Sequence, residues 1–284
     1  MKTERLLGWL PFLWLVLLAA VPFILLGKVS VAEQIVAQPP FTPLLGPDGL
    51  QVSAAAYAGL TEDDLYLRAY LGSLRLAGIA TLICLLMAYP MAYAIARAPE
   101  RWRLPLLMAV ILPFWTSFLI RVYAMIGILR PNGLLNQALQ WLGVIEQPLN
   151  LLHNDPAVVV GIAYAYLPFM VLPLYAVLAQ QDRNLIDAAA DLGAGRWRRF
   201  VTITLPLSLP GIAGGCLLVF IPAVGEFVIP ALLGGPDTLM VGRVIWNEFF
   251  VNGDWPRASA LAVVMLLILV VPLLFFERLL GRRS

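Results

Sequence analysis

Charge is what this sequence has least of. Asp, Glu, Lys and Arg make up 13% of its 284 residues, where an ordinary soluble domain has about 25%. Hydrophobic residues make up 61%. That balance excludes a soluble globular protein and equally a disordered chain. Histidine occurs once, at His153, so no metal centre or nucleophile–base pair of the usual kind can be assembled, and an enzyme is not expected. The two cysteines, Cys84 and Cys216, both lie in apolar runs. They read as buried free thiols and exclude a disulfide scaffold. There are only two lysines, Lys2 and Lys28. Neither stands in a Gly-x-x-x-x-Gly-Lys-Ser/Thr loop, and Val29 follows Lys28 where a hydroxyl is required, so the chain cannot itself grip a nucleotide in that way. A net charge of +2 offers no basic stripe for nucleic acid. What remains is a polytopic membrane protein.

A hydrocarbon core of about 30 Å needs about 20 apolar residues in a helix. Six runs qualify: 6–27, 67–96, 104–129, 157–179, 206–231 and 258–280. The expected fold class is therefore all-α, with six transmembrane helices in one domain over residues 1–284. The first run follows Lys2 and Arg5 and precedes Ser30-Val31-Ala32, the outline of a cleaved signal. It is longer than the roughly 7–15 residues of a signal core, and is read as a retained helix.

The few charges give the orientation. With the N-terminus inside, twelve basic residues are cytoplasmic: Lys2, Arg5, Arg97, Arg101, Arg103, Arg183, Arg196, Arg198, Arg199, Arg278, Arg282 and Arg283. Only Lys28, Arg68, Arg130, Arg243 and Arg257 fall outside, while Arg75 and Arg121 lie within spans. Both termini are thus expected in the cytoplasm. Acids populate the other side, among them Asp48, Asp237, Glu248 and Asp254. An acidic outer face would attract a cationic solute or a basic docking surface, although acids also simply populate such loops. Prolines recur inside the spans, as at Pro90, Pro113, Pro168, Pro173, Pro210 and Pro222. Bent helices of this kind can surround a path, and membrane helices in general carry more proline.

The most informative segment is the cytoplasmic connection 181–205. Asn184 is expected to cap a short helix, with Asp187 three residues on as its capping-box partner. Ile186, Ala189, Ala190 and Gly193 share one small-residued face, and Gly193 and Gly195 permit a sharp turn. A second helical stretch with Trp197 and Phe200 then leads through Ile203 and Leu205-Pro206 into the fifth span. A helix, a glycine turn and a return to the bilayer suit docking in a partner's groove; an ordinary amphipathic linker is the plainer reading.

The pattern Asp187-Ala188-Ala189-x-x-x-Gly193, nine residues, Ile203-x-Leu205-Pro206 resembles the EAA loop of ATP-binding-cassette (ABC) importer permeases, with Asp where the family carries Glu. Ser73–Ala77, Ala88–Tyr93, Leu112–Ser117 and Gly225–Pro230 resemble the spermidine/putrescine permeases. Leu232–Asp237 and Asp254–Ala260 are similar to the putrescine-importing branch of that group. The resemblance implies a type I importer permease (MetI-like) fold in a bacterial cytoplasmic (inner) membrane. It implies polyamine uptake by alternating access, with Asp187, Ala188, Ala189, Gly193, Ile203, Leu205 and Pro206 contacting the ATPase. The implied partners are a second homologous permease, with a heterodimer favoured, two ATP-binding subunits, a periplasmic solute-binding protein and membrane lipid. ATP and Mg would be used by the partner ATPase, with no cofactor bound by this chain. The alternatives are an ABC permease for another small solute, such as iron or an anion, and a non-transporting scaffold.

Glu226 is the one acid well inside a span. A charge near the bilayer centre costs on the order of 3 kcal/mol on insertion scales, so it is read either as facing a cationic solute or as the partner of Arg75 or Arg121. Arg75 and Arg121 are expected near the outer interface or paired with carboxylates. Trp115, Tyr89, Tyr164 and Tyr166 are pathway candidates for cation–π contact, or else packing aromatics. Outside, helices are expected over 132–142, ended by Gly143, and over 238–250. The long outer segment 28–66 carries Pro39, Pro40, Pro43 and Pro47, which discourage a continuous helix.

Overall fold

The computed structural model describes residues 2–43, 45–46 and 49–281. Pro47, Asp48, Arg282 and Arg283 lie outside the described residues, as do the side chains of Lys2, Arg5, Arg183 and Arg278. In chain order the helices are α1 (Lys2–Ser30), α2 (Ala55–Glu62), α3 (Asp64–Arg97), α4 (Glu100–Ile111), α5 (Phe118–Leu129), α6 (Leu134–Trp141), α7 (Asp155–Ala179), α8 (Arg183–Asp191), α9 (Arg196–Arg199), α10 (Leu205–Val224), α11 (Val228–Leu233), α12 (Val241–Trp246) and α13 (Trp255–Gly281). Among the described residues the only strands are a two-residue antiparallel pair, Leu45 opposite Leu50 and Gly46 opposite Gly49. Five apolar helical stretches are long enough to cross a membrane, and the apolar part of α13, Trp255–Val271, is a shorter sixth.

Two spans differ from the sequence expectation. The third is not one helix: α4 and α5, of 12 residues each, are joined by a 3₁₀ turn at Leu112–Trp115. Pro113 has no N–H to continue the α ladder. The chain tightens there and becomes extended at Thr116, whose hydroxyl donates to the Pro113 carbonyl at 2.6 Å. The fifth span ends at Val224, with Gly225 as its cap. Glu226 therefore lies in a break before α11 and not within a helix.

The chain groups into two compact units. In residues 1–71 with 241–284, α1, α2 and α12 pack on α13. Tyr70 donates to the Leu261 carbonyl at 2.6 Å and Tyr66 to Glu248 at 2.9 Å. Glu248 also accepts from Asn252, and Asp254 accepts the Arg257 amide and pairs with its guanidinium at 3.4 Å. Both acids are buried, so these two are not part of an open acidic outer face as the sequence suggested. The segment 28–66 holds α2, and α1 runs on through Lys28 to Ser30.

In residues 72–240 the centre is α7. Its apolar window is 61% buried, whereas that of α1 is 6% buried; an apolar helix so little covered has its faces left for lipid or another chain. Cys84, Ala88 and Ala92 of α3 meet Met170, Val171 and Leu174 of α7 and Val219 of α10. Small residues let membrane helices approach closely. One close approach is α7 to α10, where a Cβ on Gly215 would come within 2.6 Å of Met170 Sδ and 3.2 Å of its carbonyl oxygen. Cys84 is buried and donates to the Ala163 carbonyl at 3.3 Å; Cys216 is only half-buried, and both are free thiols. Of the expected outer helices, the first forms as α6 and ends at Gly143, and the second begins three residues late, at Val241.

Candidate functional site

The connection 181–205 folds as two short helices with a turn between them. The cap of α8 is Asp182, whose carboxylate accepts the Asn184 amide at 2.9 Å. The expected cap at Asn184 is thus displaced by two residues, because the earlier carboxylate reaches the free amides first, and Asp187 stands in mid-helix, exposed. At the other end the Gly193 amide donates to the Ala190 carbonyl and the Ala194 amide to the Ala189 carbonyl, both at 2.9 Å. This pair of bonds is a Schellman cap, which needs a left-handed residue. Gly193 supplies it at φ 78°. Gly195 has ordinary backbone angles and begins α9.

The apolar arc of α8 is wider than the chain covers. Ile186 is buried and Ala189 and Ala190 are half-buried, so the small face expected to receive a partner is turned partly inward. Leu185, Ala188 and Leu192 form the exposed flank, with Leu192 89% accessible. Trp197 of α9 is 76% accessible. Leu185, Leu192 and Trp197 were not singled out as site residues from sequence. Their signal was present as large apolar residues in a segment outside any span.

Phe200 ties this loop to the bundle. Its ring meets Tyr89 at 5.7 Å and Tyr93 at 6.2 Å, both edge-on, and stacks on Trp197 at 5.6 Å. A π-turn over Phe200–Thr204 then runs directly into α10. The widened turn lies just before Pro206, which cannot donate and crowds the carbonyl four residues back. Gln181 closes the loop by donating to the Thr204 carbonyl at 3.0 Å. Ser208 donates to the Leu205 carbonyl, so its oxygen accepts from Tyr89, at 3.0 Å. Ile203 and Leu205 are half-buried and Pro206 is exposed.

At the far end of α10 the break is organised by Glu226, which is 8% exposed. Its Oε1 accepts the amides of Phe227, Val228 and Ile229 at 3.0–3.4 Å, and its Oε2 accepts the Tyr166 hydroxyl at 2.6 Å. Tyr166 lies 6.0 Å from Phe169, which meets Phe114 edge-on at 5.0 Å. Arg121 is buried with its guanidinium 4.5 Å over the Phe114 ring, and its Nε has no hydrogen-bond partner. No ion pair joins Glu226 to Arg75 or Arg121 among the described residues. Of the two placements expected for Arg121 and Arg75, near the outer interface or paired with carboxylates, the second is not seen among the described residues: Arg121 rests on the faces of Phe114 and Phe118, and Arg75 is exposed.

Of the pathway candidates, Tyr166 and Glu226 are brought together. Tyr89 lies at the loop end of α10, at Ser208. From there to Val224 is about 24 Å of helix, so it is remote from Glu226. Trp115, in the 3₁₀ turn, is 77% accessible and Tyr164 is 42% accessible.

Several apolar helices long enough to cross a membrane, with the short helices α8 and α9 between α7 and α10, suit a membrane transport permease. The family model described as "Binding-protein-dependent transport system inner membrane component" matches residues 4–284, and the chain belongs to that family, the multi-pass inner-membrane permeases of ABC importers. The chain is similar to the spermidine/putrescine transport system permease protein PotB of Haemophilus influenzae, with 37% identity over 98% of this chain and 94% of that protein. It is 43% identical to PotB of Escherichia coli over 76% of this chain and 78% of the relative. In three dimensions it resembles a chain of a bacterial ABC transporter involved in import of the acidic polysaccharide alginate, with a TM-score of 0.75, 20% identity and coverage of 99% and 96%. That likeness shows the type I importer fold.

Proposed function

We propose that this permease carries polyamines, putrescine or spermidine, into the cytoplasm by alternating access. The observation that carries the solute class is the 37% identity, across nearly the whole chain, to a protein named for spermidine and putrescine. In this reading both termini are cytoplasmic, as the basic asymmetry requires. A second, homologous permease completes the pore, a periplasmic binding protein delivers solute, and two ATP-binding subunits hydrolyse ATP with Mg. This chain contributes no catalytic group and no cofactor of its own.

The loop geometry supports the coupling role. Residues 187–189, 193, 203, 205 and 206 belong to an element whose exposed flank, Leu185, Ala188 and Leu192, has no cover within the loop. A groove on an ATP-binding subunit supplies that cover. Displacement of α8 then passes through the Gly193 cap and the Phe200 anchor into α10. The Gly215–Met170 approach and the Tyr166–Glu226 bond carry it onward to α7, so α7 and α10 tilt as one body. Reconstitution with the partner subunits in proteoliposomes tests the reading. ATP-dependent uptake of radiolabelled putrescine or spermidine supports it, and uptake of neither overturns the solute class.

One observation favours a second reading. The buried Arg121 has an unpartnered Nε and no carboxylate beside it among the described residues, which suits an anionic solute. Uptake of a small labelled anion in place of polyamine, in the same assay, would establish that reading.

A further inference from the structure

Beside the coupling loop lies a cavity of about 280 Å³ whose wall includes Arg97, Arg196, Arg199, Tyr93, Phe200 and Thr204. No acidic residue lines it. Arg97 and Arg196 are exposed and Arg199 is half-buried, so solvent reaches the three guanidiniums, and an anion bound between them would relieve their mutual repulsion. Among the described residues no acidic side chain supplies such an anion there. None of the three has an ion pair among the described residues. Arg199 Nε is buried without any hydrogen-bond partner, and Arg97 is held only by the face of Tyr93, 4.6 Å from its centroid. A second, smaller cavity of about 30 Å³ shares Arg97 and adds Arg103, extending the basic lining. Arg97 is the last residue of α3 and Thr204 immediately precedes α10. Both stand where a span meets the aqueous side, the depth at which lipid phosphates lie. Planar guanidiniums match phosphate oxygens in pairs, and basic pockets between spans at the cytoplasmic face receive anionic headgroups.

We propose that this cavity is a phosphate-binding site, taking the phosphate ester of an anionic lipid headgroup, or free phosphate, between Arg97, Arg196 and Arg199. The bound phosphate bridges the end of α3 to α9. It thereby fixes the hinge of the coupling loop, so that the anion modulates the coupling of the permease without being transported.

The test needs neither transport nor knowledge of orientation, so it fails or succeeds independently of the proposed function. The full-length chain in neutral detergent is titrated with short-chain phosphatidylglycerol, with inorganic phosphate, and with a diacylglycerol of the same chain length. The expected result is phosphatidylglycerol binding that weakens about tenfold or more in the Arg97→Gln/Arg196→Gln/Arg199→Gln variant, a loss of about 1.4 kcal/mol or more. Arg198→Gln, an exposed residue that does not line the cavity, should change binding by no more than about twofold. If the triple variant fails to insert, Arg196→Gln alone, also exposed, serves and should weaken binding severalfold. Displacement of the lipid by inorganic phosphate would identify a free-phosphate site, and persistence of the lipid a headgroup site; either supports the proposal. Equal binding by wild type and variant, or equal binding of the phosphate-free diacylglycerol, overturns it.

Discussion

The Tyr166 hydroxyl donates to Glu226 Oε2 at 2.6 Å, while Oε1 of the same carboxylate takes three backbone amides at the start of α11. One side chain thus caps the chain after α10 and ties it back to α7. Hydrogen bonds to charged groups contribute about 1.5–3 kcal/mol each, so the geometry makes separable claims for two substitutions. Glu226→Gln keeps an acceptor for the amides and should lose about 1 kcal/mol or less, with most of its uptake retained. Glu226→Ala leaves three amides and the hydroxyl unpartnered and should lose about 4 kcal/mol or more. Thermal unfolding in detergent, run beside an uptake assay, measures both. A tenfold fall in polyamine uptake for Glu226→Gln at unchanged stability would show that the carboxylate acts on the solute.

Gly193 stands at φ 78° with no atom within 4 Å of where a Cβ would be. Space therefore does not forbid Gly193→Ala; only the left-handed backbone does, at about 1–2 kcal/mol. The expected outcome is a chain that inserts and folds but has a frayed α8 terminus and ATP-driven uptake reduced about threefold to tenfold. Gly193→Trp should abolish uptake while leaving insertion intact. Normal uptake by the tryptophan variant would remove Gly193 from the coupling element.

Gly215 tests the α7–α10 contact. Its Cβ would strike Met170 Sδ, a flexible end, and press on the Met170 backbone oxygen. Gly215→Ala should be tolerated after Met170 moves, whereas Gly215→Leu should cost about 1–3 kcal/mol through overpacking. Unfolding midpoints of the two variants give the comparison.

Phe200→Ala removes the ring that joins the loop to Tyr89 and Tyr93. The expected outcome is ATP hydrolysis that persists in the assembled complex while uptake falls, an uncoupled transporter. Equal loss of hydrolysis and uptake would instead indicate failed assembly.

Much of this was readable in the sequence because bilayer physics is simple. The apolar stretches follow from hydropathy, and the two short helices and glycine turn of residues 181–205 follow from Gly193 and the small apolar face; the coupling role of that segment is what its resemblance to the EAA loop implies. What escaped the sequence were the local contests. Pro113 breaks the third span because the chain tightens into a 3₁₀ turn, although hydropathy runs on unchanged. Asp182 outcompetes Asn184 as a cap by position alone. The same periodicity that grouped Ile186, Ala189 and Ala190 on one face could not say whether the chain itself covers it. Glu226 is apolar in context and acidic in type, and only the tertiary placement of Tyr166 and the α11 amides shows how its charge is satisfied. Glu248 and Asp254 were counted with the outer acids because nothing local distinguishes a buried carboxylate from a solvated one.

The central claim is that the exposed flank of α8 receives the ATP-binding subunits. Leu192, 89% accessible, can be changed to Asp without disturbing the chain's own packing. The measurement is ATP-driven uptake of labelled putrescine by proteoliposomes carrying the complete transporter, wild type against Leu192→Asp, with permease insertion matched. Uptake near background is expected for the variant, a loss of at least about tenfold, or about 1.4 kcal/mol, together with loss of co-purified ATP-binding subunit. Uptake equal to wild type would contradict the claim.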